Sequence, residues 1–185
     1  MSELDQLLLD IEHAESSSHA RKDWHPDNIG SIDIRIAADG SWFHEGRPFK
    51  RAALVKLFAS VLRREGDTYY LVTPAEKLAI QVDDAPFVAT TMETLGNDSE
   101  RAITFTTTLG DTIVADKKHS IRVEIDPYNQ RPKPYIHCRD GLEALISRSA
   151  FFDLANTAQE VVRNGHSYLI VQSMGIEFSL GLVSE

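Results

Sequence analysis

Three arginines, Arg51, Arg139 and Arg148, stand where strand-like runs of this sequence give way to helix-like ones. A guanidinium presents a planar fork of donors that matches phosphate or carboxylate, and the first turn of a helix adds free N–H groups beside it. On a helical wheel drawn from Phe49, Arg51 falls within the apolar stripe of Leu54, Val55 and Phe58. That position predicts a guanidinium at least half buried, which must meet an anion, because an unpaired buried charge is very costly. The partner is either an internal carboxylate, Glu45 or Glu76, or the phosphate or carboxylate of a ligand. Arg139 ends the strand-like PYIHCR ahead of Asp140, and Arg148 precedes a second helical segment. Each is read either as a structural arginine or as part of the same anion grip. Trp42 and Tyr70 lie in strands near these junctions, as core aromatics or as a stacking face for a planar ligand. Glu76 and Lys77 follow Pro74 in a hairpin turn, either as a solvated pair or as ligand contacts.

The other reactive side chains are scattered. His44 and His137 lack the spacing of a metal pair. His137 and Cys138 are neighbours in a strand, so their side chains point to opposite faces and form no thiolate–imidazole dyad. No nucleophile elbow, phosphate-binding loop or dinucleotide fingerprint is written in the chain. No cofactor and no metal is expected, and no catalytic residue can be assigned.

The totals bound the rest. The chain has 185 residues, 42% of them hydrophobic, which suits one large domain or two small, interlocked ones. A formal net charge of −9 disfavours nucleic acid and anionic membranes as partners, while leaving local basic clusters free to bind a small anion. The single cysteine, Cys138, excludes an internal disulfide and fits a reducing compartment. An acidic start without the basic, apolar pattern of a signal peptide places the expectation in the cytoplasm. A homo-oligomer is left open.

The elements that must position these residues read as two related sets. Leu4, Leu7, Leu8 and Ile11 predict an amphipathic helix in the first dozen residues, followed by a polar loop to Gly30. Ile32, Ile34 and Ile36 alternate up to an Asp39-Gly40 turn, and Trp42 and His44 share one face of the returning strand. The stretch from Arg47 to Gly66 reads as one helix, then TYYLV and KLAIQV as a hairpin. FVATTMETL, RAITFTTT and DTIVA are Thr-rich and β-branched and predict a meander, with Asn97-Asp98-Ser99 in one of its turns. SIRVEID and PYIHC echo the first hairpin. Asp140 to Gly165 reads as helix, opened by an Asp140/Glu143 capping box and broken near Ser149. GHSYLIVQSMGIEFSLG closes the chain with two strands and repeats GDTYYLVTPAEKLAIQV, with Tyr168 standing for Tyr69. Hairpin, helix, hairpin therefore occurs twice. The expectation is an α+β fold of two lobes with antiparallel sheets: residues 1–29 as helix and linker, 30–85 as the first domain and 86–185 as the second.

The segment IDIRIAADGSWFHEGRPFKRAALVKLFASVLRREGDTYYLVTPAEKLAIQVDDAPFVA resembles the bacterial family catalogued as domain of unknown function 1285. The resemblance is most specific in DGSWFHEG, LFASVL, YYLVTPAEK and VDDAPFV, and extends over nearly all of the chain beyond the N-terminal helix. It implies a duplicated core and a C-terminal domain loosely similar to pleckstrin-homology folds. It also implies an inter-domain surface for a nucleotide-like ligand and a role in signal transduction. Trp42, Arg51, Tyr70, Pro74, Glu76, Lys77, Arg139 and Arg148 occupy family-pattern positions.

Three kinds of function fit these residues. The leading one is a non-catalytic sensor that binds an anionic, nucleotide-like small molecule at the cleft between the two domains. The second is an enzyme acting on a phosphorylated substrate, with His44 or His137 and Glu45 or Glu76 as acid and base. The third is a protein-interaction module using strand edges or the N-terminal helix.

Overall fold

The structure is a computed structural model that describes residues 3–15, 23–96 and 100–183. The polar stretch 16–22 and the Asn97-Asp98-Ser99 turn of the sequence reading lie outside the described residues. The chain divides into two compact units, residues 1–84 and 85–185.

The first unit opens with helix α1 (Glu3–Glu15), which buries Leu7 and Ile11 completely, as its spacing predicts. Strand β1 (Asn28–Ile36) alternates so that Ile32, Ile34 and Ile36 enter the core. The Asp39 carboxylate accepts from the Ser41 amide at 2.9 Å and closes the turn into β2 (Trp42–His44). A two-residue strand β3 (Arg47–Pro48) and helix α2 (Ala52–Ser60) follow. Three strands end the unit: β4 (Leu62–Glu65), β5 (Thr68–Val72) and β6 (Glu76–Val82). All six strands form one sheet in the order β3-β2-β1-β6-β5-β4, with β1 and β6 parallel.

The second unit begins with the expected Thr-rich meander, β7 (Phe87–Leu95), β8 (Ala102–Thr107) and β9 (Thr112–Val114). Strands β10 (Ile121–Ile125), β11 (Pro132–Arg139) and β12 (Leu142–Ile146) join it in the order β10-β11-β12-β7-β8-β9, with β12 and β7 parallel. Helix α3 (Arg148–Asn156) leads to a separate sheet of β13 (Gln159–Arg163), β14 (His166–Ser173) and β15 (Ile176–Leu182).

Two helices are shorter than the sequence predicts. α2 starts only at Ala52 and ends at Ser60, and the chain then extends so that Leu62 pairs with Leu71 and Arg63 with Tyr70. Gly66 is a hairpin residue between β4 and β5, with φ of 60°, and not the cap of a long helix. The stretch from Asp140 is likewise no helix. Asp140 and Gly141 both have positive φ and form the two-residue turn between β11 and β12, so Glu143 lies in a strand. The helix cap in this region is Ser147, whose hydroxyl accepts from the Ala150 amide. The repeat is thus a nine-residue helix followed by three antiparallel strands in each unit. Gly66 and Gly165 sit in the equivalent hairpin turns. The all-antiparallel expectation is corrected at the two parallel pairings.

Within the second unit, one hydroxyl ties the two sheets together. Ser173 is fully buried; it accepts from the Ile103 amide at 2.9 Å and donates to the Ala115 carbonyl at 2.6 Å. The Ala115 amide bonds the Ile103 carbonyl directly at 2.8 Å, so the Ser173 hydroxyl fills the other half of that ladder step.

Candidate functional site

An aromatic column positions the segment around Arg51. Trp42 is 3% exposed, and its ring stacks on Phe58 with centroids 6.3 Å apart. Phe58 in turn meets Phe49 at 5.4 Å, and Phe49 stacks on His44 at 6.2 Å. The Phe49 amide also donates to the Trp42 carbonyl at 2.9 Å. These contacts pin residues 47–51 between β2 and α2. Trp42 is therefore a core residue that places the loop, and it has no open face for a base to stack on.

Arg51 itself lies outside the helix. It is the N-cap residue, with extended backbone (φ −97°, ψ 110°), and its side chain is exposed. The helical wheel does not apply to it, because the chain becomes helical only at Ala52, and the expected turn into the apolar stripe is not made. Its carbonyl accepts from Leu54 and Val55. No side chain caps the helix, and its first turn carries no acidic residue. Arg47 and Lys50 are exposed beside it, and no described residue pairs with any of the three side chains. The alternative of an internal salt bridge to Glu45 or Glu76 is not realised. A basic, uncapped helix N-terminus collects free N–H groups and positive charge at one place.

Tyr70 and Lys77 come together elsewhere on the first unit. Lys77 Nζ bonds Glu65 at 2.6 Å and lies 4.8 Å from the Tyr70 ring centroid. Hydrogen bonding to Lys77 holds the Glu65 carboxyl below its ordinary range. Lys77 is a largely buried, satisfied cation. Glu76, the next residue back, points to the opposite face of β6, where burial, followed by the negative charges of Asp10 and Glu3, pushes its carboxyl up. Both are strand residues. The turn before them is made by Thr73, whose buried hydroxyl accepts from the Ala75 and Glu76 amides.

In the second unit, Arg139 is partly buried, with its guanidinium 5.9 Å from the centroid of Phe87. Arg148 is the first residue of α3 and exposed, beside a helix start that Ser147 already caps. Cys138 is mostly buried, and burial pushes its thiol up to about 12. Among the described residues no group of histidine, cysteine and carboxylate side chains could hold a metal ion. No described helix is long and apolar enough to cross a membrane.

The family comparison rests on the same two units. The N-terminal domain of the family described as "Domain of unknown function (DUF1285)" matches residues 21–85, and its C-terminal domain matches 86–180. The chain belongs to the DUF1285 family. It is similar to a crystal structure of a DUF1285 family protein from Silicibacter pomeroyi DSS-3, with 44% identity and a TM-score of 0.84. That match covers 96% of this chain and 95% of the other. A second DUF1285 structure, from Shewanella baltica OS155, is 26% identical with a TM-score of 0.53, covering 66% of this chain and 90% of that one. No curated protein matches the chain.

Helix α1 lies N-terminal to the part of the chain that the DUF1285 domains match. Sequence reasoning singled out Arg51 but missed its basic neighbours, Arg47 and Lys50. The signal was present in RPFKR, whose cations crowd the start of the helix with no acid among them. It also missed the guanidinium of Arg122, which binds Glu143 at two points (2.7 and 2.6 Å), pairs with Glu124 and covers the Tyr135 ring at 4.2 Å. That network spans β10, β11 and β12 and reads as structural, because the guanidinium is already held by two carboxylates and a ring face.

Proposed function

We propose that this DUF1285 protein is a non-catalytic sensor of a small phosphate- or carboxylate-bearing molecule, nucleotide-like in its anionic end, with a role in signal transduction. The observation that carries the reading is the exposed Arg51 at the uncapped N-terminus of α2, flanked by Arg47 and Lys50. In a chain of net charge −9, three cations without an acidic partner stand out against the background. Free helix N–H groups and a guanidinium fork together suit a tetrahedral or planar anion. Binding without turnover is supported by the histidines. Among the described residues neither His44 nor His137 is hydrogen-bonded to a carboxylate, so the acid–base pairing considered for these two histidines is not assembled.

The test is a thermal-shift screen of inorganic phosphate, nucleoside mono-, di- and triphosphates and dicarboxylates against wild type and Arg51→Ala. A charge-assisted contact contributes roughly 1.5–3 kcal/mol, so Arg51→Ala should weaken a hit about tenfold or more. Arg51→Lys should restore little, since a point charge lacks the fork. Hits that stabilise wild type and Arg51→Ala equally would overturn the reading.

A further inference from the structure

We infer that Arg101 anchors a separate anion site, within the second unit, for a small molecule bearing a carboxylate. Arg101 stands two residues before Ile103 and four before Phe105, both completely buried. The alternation of the extended chain therefore turns its side chain towards the core, as it does theirs. The Nε of Arg101 is sealed from solvent, and no protein group accepts its hydrogen. Among the described residues of the second unit, no other buried side-chain nitrogen or oxygen lacks a partner. Such an atom in a folded core calls for an explanation.

A guanidinium has five donors and no acceptor, so only an outside acceptor can satisfy it. No described carboxylate pairs with Arg101. Glu100, its neighbour, is exposed. Glu93 stands opposite Thr104 and so lies on the other face of the sheet. Asp116 follows Ala115, which bonds Ile103, but its carboxylate is occupied by the Lys118 and His119 amides. The terminal nitrogens of Arg101 are not sealed as Nε is, so the fork opens to the surface.

The backbone around the arginine is fixed on two sides. The Met174 amide donates to the Arg101 carbonyl at 2.8 Å. Met174 and Gly175 form the turn between β14 and β15, both with left-handed backbone (φ 51° and 72°). At the end of β7, a Cβ on Gly96 would come within 2.7 Å of the Glu100 carbonyl oxygen, so glycine alone allows that close approach. The arginine is thus held in place before any ligand arrives. A guanidinium with its inner nitrogen desolvated and no counter-charge destabilises the fold. An anion at the outer nitrogens relieves that, because the charge is delocalised over all three. A carboxylate is planar and singly charged, matching the fork in shape and in charge, whereas phosphate carries more charge than one guanidinium cancels. The site shares no residue with the α2 junction.

The experiment is an NMR titration of the isotope-labelled full chain with sodium acetate, at an ionic strength held constant with sodium chloride. The Arg101 Nε–H, shielded from solvent, gives its own resonance, which should shift and saturate together with the Met174 and Gly175 amides. In Arg101→Met those two amides should stay fixed. In Arg101→Lys, which keeps the charge without the fork, the affinity should fall about tenfold. Without acetate, Arg101→Met should unfold in urea at the same midpoint as wild type or a higher one, since it removes an uncompensated charge at similar volume. Acetate should then raise the midpoint of wild type and leave that of Arg101→Met unchanged. An Arg101 resonance that acetate does not move would overturn the site. So would a midpoint lowered by about 1 M or more in Arg101→Met without acetate, which would mark the guanidinium as already paired within the fold. Phosphate binding at Arg101 more tightly than acetate would overturn the carboxylate assignment.

Discussion

Replacing Ser173 by alanine removes the hydroxyl that completes the ladder step between Ile103 and Ala115. Two buried backbone groups lose their partner at once: the Ile103 N–H, held at 2.9 Å, and the Ala115 carbonyl, held at 2.6 Å. Each orphaned buried group costs about 1–3 kcal/mol. The intact Ala115 N–H to Ile103 carbonyl bond limits how far the strands can move to close the gap. The expected loss is therefore about 2–6 kcal/mol, a large fraction of the roughly 5–15 kcal/mol that holds a domain folded. Urea unfolding followed by far-UV circular dichroism should show the midpoint shifted down by about 1–3 M. The two tryptophans, Trp24 and Trp42, both belong to the first unit, so tryptophan fluorescence reports that unit by itself. Ser179→Ala, at an exposed position of β15, is the control and should stay within about 0.5 kcal/mol of wild type. If Ser173→Ala is as stable as this control, the hydroxyl does not bridge the ladder and the account of how the second unit is tied together is wrong.

Glu76→Gln should raise the melting temperature near neutral pH. A carboxyl whose folded pKa is raised binds its proton more tightly when folded, so the ionised group destabilises the fold above that pKa and the penalty fades as pH falls. The gain from the substitution should therefore vanish at around pH 4, and a gain independent of pH would refute the electrostatic cause. Cys138, with its thiol pushed up to about 12 by burial, should resist alkylation in the native protein at mildly alkaline pH and react fully once unfolded. Mass spectrometry reads both states, and rapid native labelling would contradict the buried placement.

Much of the fold was legible in local pattern. The alternation of Ile32, Ile34 and Ile36, the Asp39-Gly40 turn and the Thr-rich run from Phe87 each carry a period or a turn signature within a few residues. The two long helices were misread because short apolar runs satisfy both periods. Leu142, Ala144 and Ile146 alternate as a strand, yet Leu142, Leu145 and Ile146 also fit helical spacing. Gly66-Asp67 and Asp140-Gly141 form hairpin turns, although glycine and aspartate also suit the ends of helices. The parallel pairings of β1 with β6 and β12 with β7 join strands far apart in the chain, and no local feature announces them. Arg51 shows how such an error spreads: moving the helix start to Ala52 turns a core-facing arginine into an exposed cap residue. The junction position was legible, and the proposed site rests on that junction.

The central claim is that a small anion binds at the N-terminus of α2. The most direct measurement is to titrate inorganic phosphate, then the nucleotides that score in the screen, into isotope-labelled protein and map the amide shifts. The amides of Ala52 and Ala53, in the first turn of α2 where no intrahelical acceptor is available, should move most and saturate together. Arg51→Ala should flatten that response. Shifts that saturate elsewhere in the chain while Ala52 and Ala53 stay fixed would contradict the claim.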